Sequence, residues 1–183
     1  PLGEYSIDTD IVEKLRDKND DIIFESFAET QEHALEVQVP FLQVACPDAK
    51  MIPVIVGTHQ PDALKTLGQA ILSTCQKEDW FERGKVAFIA SSDGYHGYSA
   101  QELEESDSKL VEAIKKMNKN ALFEPTPDGH PRACGVAPVS LILDAAREMS
   151  AKEVTILKRT SSGEQTGHRK GQWIVGYIAA AIH

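Results

Sequence analysis

The sequence has no cluster of basic residues, no long apolar run and few cysteines, and each absence removes a class of function. Lys and Arg together number 19 against 28 Asp and Glu, a formal net charge of -9, and the cations are scattered along the chain. Nucleic acid and anionic bilayers are bound through clustered cations, so neither is expected as a partner. No stretch approaches the roughly 18 apolar residues that span a bilayer, and the opening residues lack a basic-then-apolar pattern. A cytoplasmic protein is the expectation. Cys46, Cys75 and Cys134 are widely spaced, with no Cys-x-x-Cys pair. That spacing supports neither a disulfide framework nor a structural zinc site.

What is present is an ordinary globular composition. At 183 residues, with 42% hydrophobic and 26% charged, the chain is long enough for one sizeable core and reads as a single domain over 1–183. Residues 8–18 predict a helix with Ile11, Val12 and Leu15 inward and Asp8 as its cap. The β-branched run 51–56 predicts a strand buried on both faces, and Pro61 fits the first turn of a helix carrying Leu64, Leu67, Ile71 and Cys75. Residues 86–90 repeat the strand pattern. A strand, helix, strand order with a connection of that length favours parallel pairing.

Residues 101–118 place Leu103, Leu110, Val111, Ile114 and Met117 on the stripe of an amphipathic helix. The proline-rich stretch 125–131 predicts a loop, and 136–149 a helix with Pro138 tolerated near its start. Residues 154–157 and 173–178 read as two strands joined by the polar stretch 161–171, an antiparallel edge on an otherwise parallel sheet. The expected fold class is α/β, a three-layer α/β/α sandwich with its site at strand ends.

Several local patterns can carry chemistry. Glu32-His33-Ala34-Leu35-Glu36-Val37-Gln38-Val39-Pro40-Phe41 sets ionisable groups among apolar ones on a predicted helix that runs into Pro40. Ser91-Ser92-Asp93-Gly94-Tyr95-His96 follows an apolar strand, where Asp93 and His96 could meet across a tight turn and fix an imidazole tautomer. Cys134-Gly135 precedes a predicted helix, whose N-terminal N–H groups favour a thiolate. By composition alone, a buried structural thiol at Cys134, a turn capped by Ser92 or Asp93 and a packed or solvated His96 are the favoured explanations of these positions. A serine hydrolase built from Ser92, Asp93 and His96 lacks a Gly-x-Ser-x-Gly elbow, and three members so close in sequence would struggle to form the relay. His59, His168 and His183 read as solvated, and His130 sits in the proline-rich loop.

Taken in order, these stretches resemble the Memo family, proteins related in fold to the class III extradiol (LigB-like) non-haem iron dioxygenases. The Glu32–His33 run is similar to the family's Glu-His-x-x-Glu-x-Gln-x-Pro-Phe/Tyr signature. Met51-Ile52-Pro53-Val54-Ile55-Val56-Gly57 resembles the strand that follows it. Ser91 through His96 resembles Ser-Ser-Asp-x-x-His, Cys134-Gly135-Val136-Ala137-Pro138 resembles Cys-Gly-x-x-Pro, and Thr160 through Tyr177 resembles the closing hairpin. The family's His-Ala-Gly-Tyr-like turn and a further histidine have no counterpart, and the chain opens on Pro1. It reads as a C-terminal portion of a Memo-like protein lacking the N-terminal part.

The resemblance implies a metal site with His96 and Cys134 as ligands for iron(II), copper or zinc, the metal being absent or weakly held in such a portion. It implies catalytic roles for Glu32, His33 and Asp93, with all five residues converging on one cleft. The implied activity is redox or dioxygenase-type on an unidentified substrate. The alternative is a binding module for phosphopeptides or another protein, drawing on Arg132, Arg159, Arg169 and Lys170. A small molecule or peptide is then the expected partner, with association through self-pairing or a missing N-terminal segment.

Overall fold

The computed structural model describes residues 3–18, 20, 22–23, 32–123, 133–167 and 171–183. The chain divides into two compact units, Pro1–Ala87 and Phe88–His183. The loop at 125–131, together with His130, Arg132, His168, Arg169 and Lys170, lies outside the described residues.

The first unit contains α1 (Thr9–Arg16), α2 (Val39–Ala45) and α3 (Pro61–Lys77). Asp8 caps α1 as expected, its carboxylate accepting the Ile11 N–H at 3.3 Å. Pro61 occupies the first turn of α3, where its missing N–H costs nothing. Ile11 and Leu15 of α1 pack on Ala70 and Ile71 of α3, with Ile22, Ile52 and Trp80 around them. Full burial of each aliphatic side chain stabilises by ~1.5–3 kcal/mol. Cys75 is buried, as its helical register predicts, and that burial pushes its thiol pKa up.

Pro40 corrects the expected helix of the Glu32 segment. The helix does not run into the proline; it begins there, with Pro40 in the first turn of α2 and residues 34–38 forming turns before it. A proline lacks the N–H that a helix interior needs, so it is accommodated at a start. The helix α2 buries none of its own residues, and Phe41 and Val44 are 73% and 75% exposed.

The second unit contains β1 (His96–Gly97), α4 (Ala100–Lys115), a 3-10 turn at Asn120–Leu122, α5 (Val136–Glu148), β2 (Val154–Ser161), α6 (Ser162–Thr166) and β3 (Ile174–Ile182). Its sheet has the order β1-β3-β2 with both pairings antiparallel. Ser161 pairs with Gly176 and Val154 with Ile182, and Leu157 stands out of register as a bulge, 64% exposed. The core joins Leu110, Ala113 and Ile114 of α4 to Leu122, Val136 and Leu143, with Val154, Ile178 and Ile182 of the sheet packed against them. Ser99 caps α4, accepting the Glu102 N–H at 3.2 Å.

A mixed helix and strand fold is present, and the hairpin of β2 and β3 is antiparallel as read from the sequence. The parallel sheet differs from expectation. Among the described residues, one parallel bridge joins Ile7 to Met51, and 51–56 and 86–90 otherwise form no ladder. A strand exists only through the N–H and C=O groups of a neighbour, and β-branched composition cannot supply one. Ile55 and Ile89 are accordingly exposed.

The 161–171 connection also holds α6, which the polar composition concealed. Its signal is the Ser161-x-x-Glu164 spacing of a capping box, and the Ser161 hydroxyl accepts the Glu164 N–H at 3.2 Å.

Candidate functional site

Cys134 stands immediately before Gly135, the N-cap of α5. Its sulfur accepts the Asp93 N–H at 3.2 Å and lies 3.7 Å from the Ser92 hydroxyl. Ser92 completes the join between the two segments. Its Oγ accepts the Gly135 N–H at 2.8 Å and donates to the Asp93 carbonyl at 2.7 Å. The approach demands glycine at 135, because a Cβ there would fall 2.5 Å from the Ser92 Cβ and 2.9 Å from the Ser91 carbonyl oxygen. The Cys-Gly pair is thus explained physically: cysteine provides the sulfur, and glycine lets its backbone come within hydrogen-bonding reach of Ser92.

One proton on Ser92 serves two acceptors. While Cys134 is a thiol, its S–H can donate to Ser92 Oγ as Ser92 donates to the Asp93 carbonyl. A thiolate would instead accept from a rotated Ser92 hydroxyl. The sulfur, exposed to solvent, therefore sits beside a hydroxyl able to follow its protonation.

Asp93 meets Cys134 through its backbone, and this differs from the expected Asp93–His96 pair. Among the described residues the two side chains share no hydrogen bond; the His96 ring faces Trp173, with centroids 6.1 Å apart, and Trp173 also meets Tyr98 at 5.0 Å in an edge-on contact. The reason is that 94–97 runs along β3 rather than closing a turn. Gly94 N–H donates to the Gly176 carbonyl, Gly176 N–H donates to the Tyr95 carbonyl, and His96 pairs with Val175.

Glu32 and His33 belong to the first unit. Both are exposed and locally engaged: the Glu32 carboxylate accepts the Ala34 N–H at 2.7 Å, and His33 Nδ1 lies 2.8 Å from Glu36 Oε1. Asp93, His96 and Cys134 belong to the second unit. Within it, Asp93 and Cys134 are in direct contact.

The sequence reading missed Asp107. This residue of α4 is 1% exposed, and its Oδ1 accepts the Tyr95 N–H at 2.7 Å. Its Oδ2 is buried without a partner among the described residues. Burial pushes its pKa up, against the lowering effect of the Tyr95 N–H and Arg159; Glu104 adds to the rise. The signal was available, since positions 103, 107, 110 and 114 fall on one helical face and an aspartate interrupts that apolar stripe.

Among the described residues no group of three or more His, Cys, Asp or Glu side chains is placed to hold an ion. Among them, too, no helix is long and apolar enough to cross a membrane.

Comparison with known proteins accords with the order of these motifs. The sequence profile described as Memo-like protein matches residues 1–181. A MEMO1 family protein of Methanococcoides burtonii is 31% identical over 183 residues, covering 100% of this chain and 66% of the relative. One of Methanosarcina barkeri is 30% identical over the same length and shares, and one of Pyrobaculum aerophilum is 27% identical over 184 residues, 63% of its length. The chain thus spans slightly under two thirds of the curated relatives it matches. A match running from the first residue to 181 shows that this chain belongs to the Memo-like protein family.

Proposed function

We propose that the chain carries the thiol side of a metal-dependent redox centre of LigB-related type, acting on an unidentified small molecule or peptide. The observation that carries this reading is the seat of Cys134, its sulfur receiving the Asp93 N–H at 3.2 Å beside the Ser92 hydroxyl. The Asp93 N–H fixes the direction of the sulfur, and a cysteine sulfur is a donor suited to soft and borderline ions. His96, three residues beyond Asp93, is the second donor proposed. One sulfur and one imidazole leave an ion short of its usual four or more ligands, so further donors must come from elsewhere in a protein of the relatives' length, or from water. Iron(II) or copper suits this donor pair, with zinc also accommodated; when bound, such an ion supplies Lewis acidity or one-electron chemistry.

This chain's own residues perform the remaining tasks. Asp93 orients the sulfur through its N–H, Ser92 adjusts its proton to the state of the thiol, and Glu32 and His33 are the proton-handling candidates of the first unit. Runs 51–56 and 86–90 are proposed as core strands of the family's three-layer sheet, with their partners elsewhere in that fold.

The alternative phosphopeptide-binding module has less support. Phosphate recognition recruits free Arg and Lys, but Arg159 is engaged by Glu104 at 2.9 Å and by Ser108 at 3.2 Å. Arg132, Arg169 and Lys170 lie outside the described residues.

Metal analysis after dialysis against iron(II), copper or zinc tests the leading reading. Weak retention is expected in this chain and stronger retention in a protein of the relatives' length, with both lost in Cys134→Ala and weakened in His96→Ala. Retention should also fall as pH drops, because protons compete for thiolate and imidazole. If the longer protein holds no metal, or holds it equally well in Cys134→Ala, the metal reading fails and the binding-module reading replaces it.

A further inference from the structure

Asp107 is a buried carboxyl that a purely packing role does not explain. A leucine at this point of the α4 stripe would avoid burying a polar group, yet the structure keeps a carboxyl at 1% exposure with one oxygen unpartnered. What leucine cannot do is accept the Tyr95 N–H.

That N–H needs an acceptor because of a bulge. Gly94 and Tyr95 both face Gly176, the first through its N–H at 2.8 Å and the second through its carbonyl at 2.7 Å, while His96 already pairs with Val175. Two residues against one is the count of a β-bulge, and it leaves an N–H outside the ladder. Here it is the buried Tyr95 N–H, which Asp107 accepts at 2.7 Å. The carboxyl reaches it through space that two glycines leave open. A Cβ on Gly94 would come within 2.5 Å of Oδ1, and one on Gly176 would overlap Oδ2. Bulges re-aim neighbouring residues, and this one lies next to Ser92 and Asp93, which seat the Cys134 sulfur.

We propose that Asp107 is a positioning residue of the thiol site: it fixes the bulge at Gly94 and Tyr95, and thereby sets how Ser92 and Asp93 meet Cys134. The proposal rests on the reading of Cys134 as the functional sulfur, but not on the identity of any metal. Charged or titratable groups facing Asp107 are Arg159 from β2 and Glu104 on its own helix, and Tyr95 adjoins it from the β1 side.

The test is peptide-resolved alkylation by iodoacetamide across pH, with the exposed Cys46 of the first unit as internal reference. Asp107→Asn keeps an acceptor for the Tyr95 N–H and should leave the Cys134 rate within about twofold of the parent. Asp107→Ala removes the acceptor. It should slow Cys134 by about fivefold at neutral pH and displace its pH profile, with Cys46 unchanged, if the sulfur loses the strength of one hydrogen bond. Asp107→Ser, too short to reach Tyr95, replaces the alanine variant if that variant does not fold. A folded Asp107→Ala or Asp107→Ser protein with an unaltered Cys134 rate and profile overturns the proposal. Failure of both to fold also overturns it, by making Asp107 a determinant of the fold alone. Loss of the metal reading with this coupling intact would remove the proposed function and leave the positioning role standing.

Discussion

Replacing Gly176 by alanine should destabilise the second unit through Asp107, although the two are 69 residues apart in sequence. Gly176 is not one of the glycines with positive φ, so alanine can adopt its backbone, and the reduced freedom of the unfolded chain alone would favour the variant by ~0.4–1 kcal/mol. The space is the obstacle. The new Cβ would overlap Asp107 Oδ2 and force the carboxyl away from the Tyr95 N–H. Overpacking costs ~1–3 kcal/mol, and stranding a buried N–H costs ~1–3 kcal/mol more. The net expectation is a loss of about 2–5 kcal/mol.

In an Asp107→Ala background the same Cβ enters vacated space, and Gly176→Ala should then be close to neutral, so the coupling equals the parent penalty, about 2–5 kcal/mol. Urea unfolding followed by Trp173 fluorescence in a Trp80→Phe background reports on this unit alone, because Trp80 lies in the first unit. A Gly176→Ala penalty that is the same in both backgrounds would refute the reasoning and show that the glycine serves some other end.

Two further outcomes are expected. Folding raises the pKa of the Asp107 carboxyl above its unfolded value, so its stabilising contribution is full below the unfolded pKa and is lost as pH rises through the folded one. Asp107→Asn, which mimics the neutral acid, should therefore melt higher than the parent at neutral pH, with the difference vanishing as pH falls toward about 4; thermal melts at stepped pH check this, and a constant difference would contradict it. Leu143→Ala, at a side chain 0% exposed in the second core, should cost ~2–5 kcal/mol in urea unfolding, and a loss below ~1 kcal/mol would show that the site collapses around the gap.

The sequence alone determined the elements that local chemistry dictates. Asp8 before an apolar stripe marked α1, Pro61 marked the start of α3, the 136–149 periodicity marked α5, and the two apolar runs near the C-terminal end marked the hairpin of β2 and β3. The order of motifs around Glu32, Ser91 and Cys134 likewise carried the family, because each motif is contiguous in sequence. Tertiary structure decided what depends on distant partners. Residues 51–56 have strand composition but almost no ladder, since the hydrogen bonds that define a strand belong to a neighbour. Pro40 opens a helix rather than ending one, because proline is compatible with either boundary.

Asp107 shows the division most clearly. On the sequence its place in the apolar stripe of α4 marks it for the inner face, but nothing local says which group it meets there. Only the packing of α4 on β3, with Gly94 and Gly176 left open and an N–H released by a bulge, brings that carboxyl to the Tyr95 N–H. Contacts of this kind join residues from three separate parts of the chain, and no single segment encodes them.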